Sequence, residues 1–129
     1  MSDHDHPVDP ERVAAARADG IPNGEAQLIG ASLSLMVDPV RLRILAALLV
    51  TEELCVGDLA LALDTTEDAV SYALRLLRTA GLVRRRREGR MAYYRLADGD
   101  TRPALQSVIA RLRDLAALHP EAGADDSEG

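Results

Sequence analysis

The amino-acid sequence predicts a mainly α-helical domain that carries one small β-hairpin. Its interior must be built from Leu, Val, Ile and Ala, because the 129 residues include three Tyr but no Phe or Trp. Apolar residues recur at three- and four-residue spacing through most of the chain, which is the period of a helix buried on one face. Between residues 82 and 96 the pattern changes to two strand-like runs around Glu88 and Gly89, a pair typical of a hairpin turn. The length is that of one ordinary domain.

Both ends of the chain are predicted to be flexible tails. Residues 1–10 and 119–129 are polar and acidic and contain too little apolar surface to order themselves. The globular domain is therefore expected between residues 11 and 118. The amino terminus is acidic rather than basic and apolar, and no apolar run approaches the roughly 18 residues of a membrane span. We therefore expect a cytoplasmic protein without membrane contact.

The first two predicted helices lie on either side of a turn. Residues 11–19 are rich in Ala and favour a helix, which the Gly and Pro residues of 20–24 interrupt. A second helix is expected over residues 25–36. A third helix begins at Asp38 and Pro39, because Asp is a good N-cap and Pro is favoured in the first turn.

A helix, a tight turn and another helix follow the third helix, which should end near Thr51. The short helix covers residues 56–63, the turn is Asp64 and Thr65, and the longer helix starts at Thr66. The inner face of this longer helix carries three apolar residues at helical spacing: Val70, Leu74 and Leu77. This order is that of a helix-turn-helix.

A hairpin over residues 82–96, which we interpret as a wing, precedes the last helix. That helix begins beyond residues 98–100 and carries an apolar stripe that extends past the helix-turn-helix core. The stripe consists of Leu105, Val108, Ile109, Leu112 and Leu115. Because such a face needs a partner, we expect a homodimer whose interface is made by the N-terminal helices and the last helix.

Charge is distributed unevenly along the chain. The formal net charge is −6, yet residues 66–96 contain eight Arg and three acidic residues and carry +5, so the rest of the chain carries −11. A basic region on an otherwise acidic protein is the electrostatic footprint of a nucleic-acid-binding surface, because the acidic remainder repels the polyanion and orients the basic face toward it.

The helix order and the charge together predict a winged helix-turn-helix that binds double-stranded DNA. The helix over residues 66–78 would be the recognition helix, and its exposed side carries the candidate DNA contacts Thr66, Glu67, Asp68, Ser71, Tyr72 and Arg75. The wing adds Arg85, Arg86, Arg87 and Arg90. We assign the wing arginines to phosphate or minor-groove contact, and Ser71, Tyr72 and Arg75 to base reading.

DNA binding has two alternatives. A winged-helix module for dimerisation or protein interaction, without DNA binding, is the alternative, but it would gain nothing from a basic recognition helix and hairpin. An enzyme is not expected, because the predicted core contains no Cys-His pair, no phosphate-cradling Gly loop and no inward-facing pair of carboxylates.

The chain resembles the ArsR/SmtB family of metalloregulatory repressors over residues 32–115. Five segments carry the resemblance: 38–45 (DPVRLRIL), 53–60 (ELCVGDLA), 69–77 (AVSYALRLL), 80–83 (AGLV) and 89–96 (GRMAYYRL). The resemblance implies a homodimer that binds an inverted-repeat operator and controls transcription in response to an inducer, often a metal ion. A partner protein that senses the signal is a further expectation.

The metal sites that this resemblance implies are incomplete here. One family site needs at least two thiolates in a Leu-Cys-Val-Cys-Asp pattern, but residues 54–58 read LCVGD, so Cys55 is the only thiol. The other site pairs Asp and His at the start of the last helix with His and an acid further on. This chain offers Asp98, Asp100, Arg111 and Asp114 at those positions. Without imidazole or thiolate, a tight zinc site is not expected.

The N-terminal tail carries a different candidate metal site. If Met1 is removed, the new terminus presents a free amine, two amides and the imidazole of His4, with His6 two residues further. Four nitrogen donors of this kind suit nickel(II) or copper(II). The alternative is a solvated tail with accidental histidines, and no cofactor is required for the predicted fold.

Overall fold

The computed structural model describes residues 7–121. Within that range the chain forms six helices and three strands: α1 (Pro10–Asp19), α2 (Asn23–Leu35), α3 (Pro39–Val50), β1 (Leu54–Cys55), α4 (Val56–Leu63), α5 (Glu67–Thr79), β2 (Val83–Glu88), β3 (Met91–Leu96) and α6 (Thr101–Leu118). The predicted mainly α-helical fold with one hairpin is confirmed. No helix in this part of the chain is both long and apolar enough to span a membrane.

The chain divides into two compact units, the first ending at Ser34 and the second beginning at Leu35. The first unit contains α1 and nearly all of α2. Asp9 caps α1, because its side chain accepts a hydrogen bond from the backbone N–H of Arg12 at 3.0 Å, and Pro10 is the first helical residue. The predicted tail, residues 1–10, therefore ends one residue too late, because Pro10 belongs to α1. Asp9 and Pro10 are the same cap signal that Asp38 and Pro39 give at α3.

The second unit has its core between α3, α4 and α5, which pack against one another. Seven large side chains are fully buried there: Ile44, Leu45, Leu48, Leu59, Val70, Leu74 and Leu77. The predicted inner face of α5 is therefore correct. Burial of this apolar set holds α5 against the other two helices with its opposite side exposed.

The turn between α4 and α5 is short because Asp64 adopts a left-handed conformation, with φ of 55°. Asp tolerates this conformation better than most residues do. Thr66 follows as the N-cap of α5, where its hydroxyl oxygen accepts a hydrogen bond from the backbone N–H of Ala69 at 3.1 Å. The turn and cap together set where the exposed face of α5 begins.

The hairpin belongs to a three-stranded antiparallel sheet in the order β1-β3-β2. Strand β1 is not predicted from the sequence, since a strand of two residues shows no alternation. The turn comprises Gly89 and Arg90, and Gly89 has φ of 61°, which suits the first position of a two-residue hairpin loop.

Alternation along the hairpin divides its side chains between two faces, because residues paired across antiparallel strands share a face. The inner face, which includes the buried residues, carries Val83, Arg85, Arg87, Ala92, Tyr94 and Leu96. The outer face carries Arg84, Arg86, Glu88, Met91, Tyr93 and Arg95. β2 also packs against α5.

The apolar stripe of α6 divides between the protomer's own core and the surface. Leu105 and Ile109 are buried in the core. Val108, Leu112 and Leu115 are exposed, Leu115 at 54%. The expectation that Ile109 contacts a second copy is therefore wrong, because its side chain already packs inside its own chain.

Candidate nucleic-acid interface

The exposed side of α5 carries the six residues that the sequence predicted there. Thr66, Glu67, Asp68, Ser71, Tyr72 and Arg75 are all exposed. The opposite side buries Val70, Ala73, Leu74 and Leu77. Helix α5 thus presents a row of polar groups to solvent on a rigid support, which is the geometry of a helix that enters a DNA groove.

Tyr72 and Arg75 form a pair on this exposed side. The guanidinium carbon of Arg75 lies 5.9 Å from the centre of the Tyr72 ring, and Tyr72 is 57% exposed. Residues three apart on a helix are neighbours, so the cation rests against the aromatic ring. The pair offers a flat ring, a hydroxyl and a five-donor guanidinium at one place on the helix.

The arginines on the outer face of the hairpin are neutralised by carboxylates. Asp98 lies between two of them, at 3.7 Å from Nε of Arg84 and 3.4 Å from Nη2 of Arg95. The third, Arg86, is held by Glu53 and Glu88. The sequence showed the number of arginines in this region but not that half of the hairpin's charge is compensated.

Arg86 makes the most extensive of these contacts. Its Nε donates to Oε2 of Glu53 at 3.2 Å, its Nη2 donates to Oε1 of Glu53 at 2.6 Å, and its Nη1 donates to Glu88. The guanidinium carbon lies 4.8 Å from the centre of the Tyr93 ring. The hydrogen bond from Arg86 holds the pKa of Glu53 below its ordinary value, and the same carboxylates raise the pKa of Arg86.

The remaining arginines of the basic region are exposed and have no ion-pair partner within residues 7–121: Arg75, Arg78, Arg85, Arg87 and Arg90. Arg85 and Arg87 belong to the inner face of the hairpin and Arg90 to its turn. Arg78 is not among the DNA contacts predicted from the sequence. The signal that could have identified Arg78 is its position three residues after Arg75, on the polar side of α5.

Arg78 lines a groove of about 390 Å³ where the end of α5 meets the start of β2. Arg84, Arg85, Gly81 and Val83 complete the lining. Two of its three arginines, Arg78 and Arg85, have no ion-pair partner within residues 7–121, so the groove adds positive charge beside the end of α5.

The metal sites implied by the family resemblance do not fit the residues present. Cys55 is buried, and the Asp98 carboxylate is already ion-paired with two guanidinium groups, which oppose a cation electrostatically. Between residues 7 and 121 no three His, Cys, Asp or Glu side chains cluster in a way that could hold a metal ion. The predicted ligands His4 and His6 lie outside the described residues.

A helix-turn-helix with an exposed polar recognition helix and an arginine-bearing hairpin defines the class of winged helix-turn-helix DNA-binding regulators. The chain belongs to the arsR family of bacterial regulatory proteins, whose family model matches residues 38–85. The resemblance drawn from the sequence is confirmed.

Known relatives agree with this membership. The chain is 40% identical over 104 residues to the transcriptional repressor SmtB homolog of Synechocystis sp., which covers 81% of this chain and 78% of that protein. The AntR antimony-specific transcriptional repressor is structurally similar, with a TM-score of 0.64 and 29% identity over 77% of this chain and 89% of the other. A homodimeric winged helix-turn-helix DNA-binding domain from Mycobacterium bovis is also similar, with a TM-score of 0.60 and 28% identity. The match covers 78% of this chain and 96% of that one. These relatives are regulators rather than enzymes.

Proposed function

We propose that this protein is a transcriptional repressor that binds an inverted-repeat operator as a homodimer through α5 and the inner face of the hairpin. The observation that carries the proposal is the division of the arginines. Within residues 66–96, the arginines on the outer face are paired with carboxylates, whereas the five exposed arginines without ion pairs lie on α5, on the inner face and in the turn. Free positive charge is thus concentrated where a winged helix meets DNA.

Base reading is assigned to the middle of α5 and phosphate contact to its surroundings. Ser71, Tyr72 and Arg75 share one exposed side, and a guanidinium can donate two hydrogen bonds to guanine. Thr66, Glu67 and Asp68 stand at the start of the helix, where a carboxylate can accept from the amino group of cytosine. Phosphate contact is assigned to Arg78, Arg85, Arg87 and Arg90.

Homodimer formation is supported by apolar surface on two helices. On α6 the exposed residues Val108, Leu112 and Leu115 form a stripe beside the buried ones, and on α2 Leu28 and Leu33 are exposed. An exposed apolar stripe of this kind is typical of an interface. A twofold dimer would present two α5 helices to successive major grooves, about 34 Å apart. The M. bovis relative is homodimeric.

The alternative, an interaction module without DNA binding, predicts a neutral or apolar surface on α5 and the hairpin. The exposed arginines argue against it. A DNA-binding repressor acts in the cytoplasm, beside the chromosome. Response to nickel(II) or copper(II) through His4 and His6, and sensing by a partner protein, stay predictions of the sequence.

The test is selection from random DNA followed by titration. Duplexes of about 30 base pairs accommodate two half-sites one helical turn apart, so the protein should enrich an inverted repeat from a random library of that length. Fluorescence anisotropy should then show an affinity that falls steeply with salt, with a scrambled duplex binding more weakly. Failure to enrich any sequence, together with binding that ignores salt, would contradict the proposal.

A further inference from the structure

The side chain of Arg86 crosses the whole sheet of the wing. Arg86 lies on β2, pairs across the ladder with Tyr93 of β3, and rests over the Tyr93 ring. Its guanidinium then reaches Glu53, the residue immediately before β1, with two hydrogen bonds. One side chain therefore links β2 to the residue that leads into β1, across the central strand β3.

The hairpin has few other attachments on that side. β1 and β3 pair over only two residues, whereas β2 and β3 pair over six. Along β2 only Val83 is buried, and the five residues that follow it are exposed. Core packing along β2 therefore ends at Val83, so the direction of the outer part of β2 depends on its pairing with β3 and on short-range contacts such as that of Arg86.

The charge balance around Arg86 opposes a role in phosphate binding. Its guanidinium faces two carboxylates, Glu53 and Glu88, so the three groups together carry a net negative charge when ionised. Arg86 would have to leave a two-bond contact with Glu53 to meet a phosphate. Arg87, the next residue, is exposed on the other face without such a contact.

We propose that Arg86 is a positioning residue that fastens the wing to Glu53 and so aims Arg85, Arg87 and Arg90 at DNA, and that it does not itself neutralise a phosphate. This inference rests on the proposed function and corrects the assignment that the sequence suggested for Arg86. In this arrangement Glu53 supports binding to a polyanion, although its own side chain is negatively charged, because it holds Arg86 in place.

The experiment compares two matched pairs of variants on the selected duplex. Arg86→Ala and Arg87→Ala remove the same charge from neighbouring positions on opposite faces. Glu53→Ala and Glu52→Ala remove neighbouring carboxylates, of which Glu52 is exposed and has no ion-pair partner within residues 7–121. Glu52→Ala therefore measures the general effect of losing one negative charge. Arg86→Lys keeps the charge but loses the two-bond geometry.

The expected result is that Arg86→Ala weakens binding at every salt concentration without changing the slope of log affinity against log salt, because a loosened wing makes the same phosphate contacts once bound but must first be ordered. Arg87→Ala should instead lower that slope by about 0.9, the value of one phosphate contact. Glu53→Ala should bind more weakly than Glu52→Ala, and Arg86→Lys should not restore affinity. A slope lowered by about 0.9 in Arg86→Ala, restored in Arg86→Lys, would overturn the proposal. Tighter binding by Glu53→Ala than by Glu52→Ala would also overturn the proposal, because it would mean that Glu53 keeps Arg86 away from a phosphate.

Hydrogen exchange of the free protein separates this inference from the proposed function. Arg86→Ala and Glu53→Ala should each lose protection at backbone amides of β2 and β3, while Arg87→Ala and Glu52→Ala keep it. If the wild-type protein shows no salt-dependent DNA binding, the proposed function fails, and the exchange data still decide whether Arg86 fastens the wing. Unchanged protection in both Arg86→Ala and Glu53→Ala would overturn the fastening role.

Discussion

Arg102, in the first turn of α6, caps the end of α3 by donating a hydrogen bond from Nη2 to the carbonyl oxygen of Leu48 at 2.9 Å. Its Nη1 donates to the carbonyl of Leu49 at 3.0 Å. The last carbonyls of a helix have no partner inside the helix, and a cation there also meets the negative end of the helix dipole. Arg102 thus couples the helix with the proposed dimer stripe to the scaffold of the helix-turn-helix.

Replacing Arg102 with Gln should therefore destabilise the fold. Two charge-assisted hydrogen bonds to partly buried carbonyls would be lost, and we expect the free energy of unfolding to fall by about 1–3 kcal/mol. Urea denaturation followed by circular dichroism measures this change. Arg111→Gln is the control, because Arg111 is exposed on the same helix and should change stability by less than about 0.5 kcal/mol. Equal stabilities of the two variants would show that the cap contributes nothing.

Arg78→Ala should reduce the salt dependence of DNA binding. If a phosphate occupies the groove between the end of α5 and the start of β2, the slope of log affinity against log salt falls by about 0.9. The loss should be similar for all sequences tested, because phosphates carry no base information. Anisotropy titrations at several salt concentrations measure the slope. A slope equal to that of the wild type would place the groove away from DNA.

Arg75→Ala should reduce discrimination among operator variants. A guanidinium that reads guanine contributes about 1–3 kcal/mol of preference over the wrong base, and Ala retains none of it. Titrations against duplexes with single substitutions in each half-site measure the preference. Arg87→Ala serves as the comparison, since loss of a phosphate contact weakens all duplexes alike. An unaltered preference in Arg75→Ala would remove this residue from base reading.

Leu115→Asp should dissociate the dimer without unfolding the protomer. Leu115 is exposed in the protomer, so a carboxylate there is solvated until a second copy covers it. Sedimentation should give a folded monomer. Ala110→Asp, exposed on the opposite side of α6, should stay dimeric. Ile109→Asp should unfold the protomer instead, because Ile109 is buried in the core. A Leu115→Asp protein that sediments as a dimer would locate the interface elsewhere.

Metal binding should depend on the N-terminal histidines rather than on Cys55. Amine, amide and imidazole nitrogens suit nickel(II) and copper(II), whereas one thiol per chain cannot assemble a site for soft ions. Binding should strengthen as pH rises, because the amides must lose protons. Calorimetry with nickel(II) compares the wild type, a form without residues 1–7, and Cys55→Ser. Full nickel affinity in the truncated form would refute the site, and weaker binding by Cys55→Ser would implicate the thiol.

The sequence by itself determined the features that depend on neighbours in the chain. Asp38 and Pro39 mark the start of α3, Gly89 marks the hairpin turn, and apolar spacing identifies the buried side of α5. Each of these signals acts within a few residues, through capping, backbone conformation or helical period. The concentration of arginines in one region is likewise a property of composition, so the class of partner could be predicted with the fold.

Only the tertiary structure decided which of those arginines are free. Glu53 and Arg86 are 33 residues apart, and nothing in the local pattern of either residue indicates that they meet. The same holds for β1, whose two residues become a strand only because β3 lies beside them, and for Ile109, which the core covers before any partner can. Local sequence patterns indicate the secondary structure and the chemical groups of a residue. Charge pairing, strand pairing and burial depend instead on which distant residue the fold brings next to it.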